Sequence, residues 1–199
     1  MERSIMRTFL LFSVVIFSFC TIITACQEDY SPKPRGYFRI EFPEKKYKMT
    51  QTGCPFDFEI PAYATLEKDH EKDARPCWLN LDFPQFNARL HLSYFDINKN
   101  VSFQQLSEDA RTFAFNHTVK ATAIEQKRIN KKDRRVFGVQ YLIRGNTASN
   151  DQFFVSDSTQ HYLRGALYFN EKPHLDSIQP VLDFINADIE HIIQTIHWK

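Results

Sequence analysis

Residues 77–94, CWLNLDFPQFNARLHLSY, decide the fold of this 199-residue chain. Two runs within this stretch alternate apolar and polar side chains, one ending at Phe83 and the other at Tyr94. Because successive side chains of a β-strand point to opposite faces, this period of two places the apolar side chains of each run on one face. Pro84 interrupts the alternation between them. The stretch therefore predicts two antiparallel strands, each with one apolar face.

Six further segments are predicted to be strands on similar grounds. They are Tyr37–Phe42, in which Phe38, Ile40 and Phe42 share a face, Phe56–Ile60, Ala121–Ile129, Val136–Ile143, Gln152–Val155 and His161–Phe169. Prolines end the first two segments, and a polar turn is predicted at Asn130–Asp133.

Two segments have the spacing of amphipathic helices. Ser102 is the predicted N-cap of a helix of roughly fourteen residues whose apolar positions begin at Phe103. A second apolar stripe runs from Leu175 to Ile196, with Asp176 as its predicted cap. The order of strands, helix, strands and helix predicts an α+β fold, a single antiparallel sheet of about seven or eight strands with two main helices packed on it. By analogy, this order resembles the PsbP-like sheets of photosynthetic complexes.

The N-terminus has the pattern of an export signal. Arg3 and Arg7 precede an apolar run, Thr8–Ile23, that is shorter than the roughly 20 residues needed to span a bilayer. The run ends in the letters ITAC, which resemble the lipobox of bacterial lipoproteins, in which the cysteine is acylated and becomes the new N-terminus. Residues 1–25 are therefore predicted to be a lipoprotein signal peptide, and Cys26 to carry the lipid. The alternative is an uncleaved signal anchor with an incidental cysteine.

The rest of the chain is predicted to be a tether and one domain. Residues 26–36 are the lipidated N-terminus and an extended tether, and residues 37–199 form a single globular α+β domain. The chain carries 25 basic and 24 acidic residues, of which the signal holds two basic and one acidic. Positive and negative charges are therefore equal in number in the mature chain. Because no pooled basic field is present, nucleic acid is disfavoured as a partner.

Two cysteines remain after Cys20 leaves with the signal and Cys26 is lipidated. An even pair in an exported chain predicts a disulfide between Cys54 and Cys77. It would close a loop of about two dozen residues and contribute roughly 3 kcal/mol in the chain-entropy model. Two free buried thiols and a two-cysteine metal site are the alternatives.

Several short words along the chain resemble the gliding-motility lipoprotein GldD family of Bacteroidetes. They are YSPKPRGYFRI at residues 30–40, FPEK at 42–45, CPF at 54–56, IPAY at 60–63, PCWL at 76–79 and IHWK at 196–199. The resemblance implies a non-enzymatic envelope component of cell gliding and of the associated type IX secretion system. It implies as partners the membrane, through the lipid, and other gliding and secretion envelope proteins. It brings no catalytic residues, and no cofactor or metal apart from the covalent lipid on Cys26.

The alternative function is that of a periplasmic ligand-binding or hydrolytic lipoprotein with a pocket between sheet and helix. An apolar cavity with converging polar groups would favour it, whereas a filled core with surface aromatics favours an interaction module.

No phosphate-cradling loop or nucleophile elbow supports catalysis. His191 and His197 are six residues apart and are predicted to face solvent. The loop at residues 69–73 is rich in side chains that could be ligands, and its charges are predicted to be solvated.

Nineteen phenylalanines are many for one small domain. Phe86, Phe95, Phe153 and Phe154 lie at predicted strand edges, and they could form an exposed apolar patch that marks a partner surface. The alternative is an aromatic-rich core.

Two short polar motifs concern modification and sorting. Asp176-Ser177-Ile178 resembles an O-glycosylation word of Bacteroidetes, which makes Ser177 a candidate site unless Asp176 merely caps the helix. The residues that follow the predicted lipidation site are Gln27, Glu28 and Asp29. An acidic pair there resembles the signal that sends some Bacteroidetes lipoproteins to the outer membrane, although a polar tether also contains acids by chance. The outer membrane is therefore favoured over the inner membrane, with the leaflet left open.

Overall fold

A seven-stranded antiparallel sheet forms the centre of the fold. The structure, a computed structural model, describes Met6 and residues 39–98, 101–171 and 175–199, and Ile40–Lys199 form one compact unit. In chain order the strands are β1 (Tyr47–Met49), β2 (Phe56–Asp57), β3 (Glu59–Pro61), β4 (Thr65–Lys68), β5 (Leu79–Phe83), β6 (Ala88–Asp96), β7 (Ala121–Lys131), β8 (Val136–Gly145), β9 (Asp151–Ser156), β10 (His161–Phe169) and β11 (His197–Trp198). The large sheet has the order β4-β5-β6-β10-β9-β8-β7, so two antiparallel meanders meet where β6 pairs with β10.

Two helices, α1 (Phe103–Phe115) and α2 (Leu175–Thr195), cover opposite faces of the large sheet. The alternation within each strand separates the buried side chains into two clusters. One cluster contains Leu81, Leu90, Leu163 and the buried isoleucines of α2, and we call its side of the sheet the α2 face. The other contains Tyr141, Phe154, Tyr162 and the buried residues of α1, and we call its side the α1 face.

The start of α1 matches the prediction from the sequence. Ser102 has an extended backbone, and its side chain accepts a hydrogen bond from the backbone N–H of Gln105. The predicted cap of α2 is wrong, because that helix already begins at Leu175 and Asp176 lies within its first turn. A carboxylate in this position still interacts favourably with the positive end of the helix dipole.

Two small sheets complete the domain and connect its beginning with its end. β1 pairs with β3, and β11 pairs with β2 so that Trp198 lies opposite Phe56. A disulfide joins Cys54, just before β2, to Cys77, just before β5, with the two Cα atoms 5.7 Å apart. The pairing of β2 and the disulfide together fix the first strands against the large sheet.

Two strand predictions near the start of the domain need correction. The predicted strand Tyr37–Phe42 has no strand pairing in its described part, residues 39–42. There the Phe42 ring instead stacks on Phe184 of α2, with the ring centroids 4.5 Å apart. The predicted strand Phe56–Ile60 is two short strands, β2 and β3, in different small sheets. The single sheet of the prediction is therefore one large sheet with two two-stranded additions.

The aromatic side chains belong mainly to the core. Phe86, Phe153 and Phe154 are buried, and Phe95 is half-buried. The predicted exposed patch of these four residues is therefore wrong, and the alternative of an aromatic-rich core describes them correctly. Phe153 packs on the α2 face and Phe154 on the α1 face, because consecutive residues of β9 alternate sides.

Candidate functional site

A polar cleft of about 740 Å³ lies where the C-terminal residues meet the turns of the large sheet. We call it the terminal cleft. Among its lining residues are Met49, Glu59, Arg134, Arg135, Asp157, His161, His197, Trp198 and Lys199. These residues come from both ends of the domain and from two turns of the sheet. The cleft therefore exists only when the small β2–β11 sheet has formed.

Trp198 sets the position of the C-terminal segment. Its indole stacks on the ring of His161, with centroids 5.3 Å apart, and its Nε1–H donates to the backbone carbonyl of Arg135 at 3.1 Å. Lys199 adds a backbone hydrogen bond from its N–H to the carbonyl of Pro55 and an ion pair from its ammonium to Asp57 at 2.7 Å. The bonds from Lys199 and Thr52 lower the pKa of Asp57 despite its burial, which acts to raise it.

The turn that carries the arginines is tightly constrained. A short 3₁₀ helix, Lys132–Arg134, links β7 to β8, and the next residue, Arg135, adopts a left-handed backbone with φ 54°. For a non-glycine residue this conformation costs about 1 kcal/mol or more and persists only where the surroundings fix it. Here the Arg135 guanidinium donates to the Thr159 hydroxyl at 3.2 Å, and it lies 3.7 Å from the Asp157 carboxylate.

Asp157 is a fixed negative charge of the cleft. Its carboxylate accepts hydrogen bonds from the backbone N–H groups of Thr159, Gln160 and His161. Burial acts to raise the pKa of Asp157, but these bonds outweigh it and hold the pKa well below its ordinary value. The residue is therefore ionised throughout the physiological range, and it faces the exposed Arg135.

A buried polar network joins α2 to the segments around β1 and β3. Asp188 of α2 is fully buried and accepts hydrogen bonds from Lys45 Nζ at 2.6 Å, from Tyr47 at 2.8 Å and from the Tyr63 hydroxyl. Burial, followed by the bond to Asp188, raises the pKa of both tyrosines above its ordinary value. These contacts compensate the cost of burying the carboxylate. The network therefore has a structural role, which is to hold α2 in place.

The same helix face reaches the cleft through His191. Its ring stacks on Tyr47 with centroids 3.6 Å apart, and its Nε2 lies 2.6 Å from a carboxylate oxygen of Glu59, which lines the cleft. The prediction that His191 faces solvent is therefore wrong, because the ring is packed and hydrogen-bonded. His197 lines the cleft and is half-buried. Within the described ranges, no group of three or more His, Cys, Asp or Glu residues is placed to hold a metal ion.

The cleft offers contact chemistry of several kinds. Arg134 has 45% of its side chain exposed, and Met49 is 52% exposed. Cations, carboxylates, an indole edge and a thioether are therefore presented side by side on a fixed framework. Arginine, tryptophan and methionine are the residue types enriched where one polypeptide binds another.

The remaining predicted sites are scattered or lie outside the described residues. Cys26, Gln27, Glu28 and Asp29 fall outside the described residues. Ser177 is exposed in the first turn of α2. The charged loop at residues 69–73 is largely exposed, and Asp69 accepts a hydrogen bond from the Glu71 N–H, as in an ordinary turn.

Sequence reasoning missed the Asp188 network. The signal was present, because Asp188 lies three residues after Ile185 and so falls on the apolar stripe of α2. A carboxylate in such a stripe requires buried partners. Its partners, Lys45 and Tyr63, are more than a hundred residues away in the chain, and no local pattern identifies them.

The fold and the cleft define a class: an α+β domain with a polar binding surface built around its C-terminus. The family model for the gliding motility lipoprotein GldD matches residues 27–198, and the chain belongs to this family. A solved structure similar in fold is the solution structure of cyanobacterial PsbP (CyanoP) from Synechocystis sp. PCC 6803. It is 9% identical, with a TM-score of 0.43 over 83% of this chain and 98% of that chain. No curated protein matches.

Membership of this family makes the chain a lipoprotein of the cell envelope associated with gliding motility. In the part of the chain that the structure describes, neither helix has the length and apolar character needed to cross a membrane.

Proposed function

We propose that this protein is a lipid-anchored, non-enzymatic accessory or assembly component of the gliding machinery and of the associated type IX secretion system. In this proposal, the signal peptide of residues 1–25 is removed and Cys26 carries the lipid. The family match begins at residue 27, directly after this cysteine, which supports a boundary there. The tether of residues 27–36 then holds the domain at the membrane surface, on the outer membrane in preference to the inner one.

The terminal cleft is the observation that carries the proposal. It is open and lined by both signs of charge, and it is held by the disulfide-linked first strands and by the C-terminal β11. Such a surface suits a polar, hydrated contact with another folded envelope protein. Its partner would engage Arg134 and Arg135 with acidic groups and would cover Met49.

The interior gives less support to the alternative of a ligand-binding or hydrolytic lipoprotein. Between the sheet and α2 the central space is occupied by Phe153, Ile185 and Ile189, all buried in one cluster. The clefts that open beside α2 lie at the sheet edge and include charged residues such as Lys127 and Arg144 in their linings. An apolar pocket with a few converging polar groups is the usual arrangement for a small ligand.

Reversing one charge of the cleft tests the proposal. In a strain that lacks the protein, we expect the Arg134→Glu variant to be present at the normal level in the membrane but to restore colony spreading and secretion poorly. The matched control is Arg111→Glu on α1, where an arginine with 57% of its side chain exposed lies outside the cleft. Full restoration by Arg134→Glu, or equal losses in both variants, would contradict a role for the cleft in assembly.

A further inference from the structure

β7 is the longest described strand, and one of its two edges has no strand partner in the described part of the chain. It spans Ala121–Lys131, eleven residues, and it lies at the end of the large sheet, beyond β8. The strand at the opposite end of the sheet, β4, has only four residues. Backbone N–H and C=O groups along a free edge are a template for pairing with another extended segment. The free edge of β7 is therefore the larger unused pairing surface of the described sheet.

The register of the sheet identifies the backbone groups at this edge. The Ile143 N–H of β8 donates to the Asn150 carbonyl, on the β9 side. Because residues of an antiparallel strand direct their N–H and C=O groups to alternate sides, Leu142 and every second residue of β8 point toward β7. Leu142 pairs with Glu125, and the register continues without a shift from Ala123 to Lys131. The residues of β7 that direct their backbone groups away from β8 are therefore Ile124, Gln126, Arg128 and Asn130.

Most of β7 is regular and accessible. Many natural sheets protect an edge strand with prolines, with bulges or with a covering segment. β7 contains no proline, and its register shift lies at its beginning, between Ala121 and Ala123. Seven of its eleven residues are exposed. The stretch from Ala123 to Lys131 thus keeps the geometry that a further strand needs.

The charges of β7 favour one kind of partner. The strand carries Glu125, Lys127, Arg128 and Lys131. An acidic strand would meet Glu125 and a basic strand would meet the three cations, so each leaves one sign unmatched. Two copies of β7, paired antiparallel about a twofold axis at Gln126, instead place Glu125 of each copy opposite Lys127 of the other. Cross-strand pairs of opposite charge are favourable, whereas like charges directly opposite each other are destabilising.

Gln126 is the midpoint of β7, so a twofold axis there uses the whole strand. It pairs Gln126 with itself and Ile124 with Arg128 of the other copy, and all of these direct their backbone groups outward. Each such pair exchanges two backbone hydrogen bonds. An axis at Glu125, Lys127 or Arg128 would place that charge opposite its own copy, and an axis nearer either end would shorten the overlap. The sequence of β7 therefore favours a single register of self-pairing.

The two side chains that meet in this register are available to do so. Glu125 has 58% of its side chain exposed, and its nearest cation, Arg144, is 3.9 Å away. Lys127 has 51% of its side chain exposed, and its ammonium lies 2.5 Å from Glu190 of α2. Because an ammonium has three donors, Lys127 can keep Glu190 and hold a second carboxylate as well. Glu125 and Lys127 share a side of the strand with the buried Ile129, so both new ion pairs would lie on the α2 face.

We propose that β7 is a self-association surface, at which a second copy of this chain pairs edge to edge to form one continuous sheet with its twofold axis at Gln126. The lipid anchor would favour this pairing, since copies held at one membrane have a high effective concentration. The proposal does not rest on the terminal cleft, because no residue of β7 lines it. Its failure would leave the function proposed for the cleft untouched.

Cysteine crosslinking of the full chain in its membrane tests the register. Opposed residues of a hydrogen-bonded pair have Cα atoms about 5.5 Å apart, within the range that a disulfide bridges. We expect Gln126→Cys to give a disulfide-linked dimer on mild oxidation, well above the background of the parent chain. Arg128→Cys is the matched control, because it is also exposed and on the same side of the strand. In this register its own copy lies about 14 Å away along the strand, too far for a disulfide. Copies carrying Ile124→Cys should instead crosslink to copies carrying Arg128→Cys.

Charge and backbone variants add a second test, with the yield of the Gln126→Cys dimer as the readout. Glu125→Lys should lower this yield about fivefold, because it replaces two attractive pairs by two repulsive ones. Addition of Lys127→Glu should restore the yield, because the exchanged charges match again. Arg128→Pro removes an outward N–H without removing a bond to β8, so it should abolish the dimer while the thermal midpoint of the domain is kept.

The proposal is supported if the crosslinked species contains two copies of this chain and the exchanged charges restore its yield. It is overturned if Gln126→Cys does not crosslink above the parent, or if Arg128→Cys crosslinks equally well. A crosslink from Gln126→Cys to a different polypeptide, or to another segment of the same copy, would overturn it as well, because either result gives the edge of β7 another occupant.

Discussion

Lys45 Nζ lies 2.6 Å from Asp188 Oδ1, and this contact joins the segment before β1 to the middle of α2. The same ammonium donates to the Phe184 carbonyl at 2.6 Å and lies 3.6 Å from the Phe184 ring centroid. A single lysine therefore supplies the counter-ion of a buried carboxylate, and removal of either charge leaves the other without its counter-ion.

Asp188→Asn should destabilise the domain by about 3 kcal/mol or more, because it leaves a partly buried ammonium without its counter-ion. The measurement is the free energy of unfolding in denaturant at neutral pH. Lys46→Met is the control, since the Lys46–Glu44 pair is exposed and such pairs contribute about 0–1 kcal/mol. Similar small losses of unfolding free energy in both variants would show that the Lys45–Asp188 pair contributes no more than an exposed ion pair.

The disulfide between Cys54 and Cys77 should contribute about 2–4 kcal/mol to the stability of the domain. We expect reductant to lower the thermal midpoint, and Cys54→Ala and Cys77→Ala to lower it to a similar extent. The double variant should be no less stable than either single variant, because the crosslink is lost only once. Quantitative alkylation of both thiols in the native, non-reduced protein would rule the bridge out.

The stability of the domain should depend on pH through Asp151. Burial raises the pKa of Asp151 to about 7, Glu190 adds to this effect, and a hydrogen bond from Gln140 opposes it. Its Oδ1 has no hydrogen-bond partner in the described part of the chain. Because the folded-state pKa is raised, the folded protein keeps a proton that the unfolded chain loses. The contribution of Asp151 to stability therefore falls as pH rises from about 4 to about 7 and changes no further above that range.

Asp151→Asn removes this dependence. We expect the variant to be more stable than the parent at pH 8, by up to about 4 kcal/mol, and nearly equal to it at pH 4. Asp183→Asn, at an exposed position of α2, should show no such divergence between the two pH values. A parallel pH dependence of the parent and of Asp151→Asn would disprove the assignment.

The sequence predicts what is local in this fold. β5, β6 and β10 and the N-cap at Ser102 follow from periodicity and capping, which involve residues close together in the chain. The strands that the sequence does not predict depend on pairing with segments that are distant in the chain. β11 consists of two residues and exists only through its pairing with β2, and β4 has one partly buried apolar residue, Leu66, at a sheet edge.

The candidate sites were less predictable for the same reason. The family word IHWK contains His197, Trp198 and Lys199, but the cleft that they line depends on turns more than thirty residues earlier in the chain.

Cys26→Ser should leave an unlipidated precursor that no longer partitions with membranes, because only a thiol can take the thioether-linked lipid. Metabolic labelling with palmitate and fractionation of the envelope measure both effects. Cys20→Ser changes the other cysteine of the N-terminal segment and should be labelled and anchored as the parent is. Membrane retention and normal processing of Cys26→Ser would show that the anchor has been assigned to the wrong residue.

Glu28 and Asp29 should determine which membrane holds the protein. Two adjacent carboxylates next to an acylated cysteine form a compact anionic mark at the headgroup layer, and a sorting receptor can bind such a mark with arginine or lysine. We expect the Glu28→Ala, Asp29→Ala double variant to move from the outer toward the inner membrane when the two membranes are separated. The control is Glu41→Ala, Glu44→Ala, which makes the same change in charge at exposed positions beyond the tether. If both double variants keep the parental distribution, the two carboxylates are only part of a polar tether, and sorting depends on another feature of the chain.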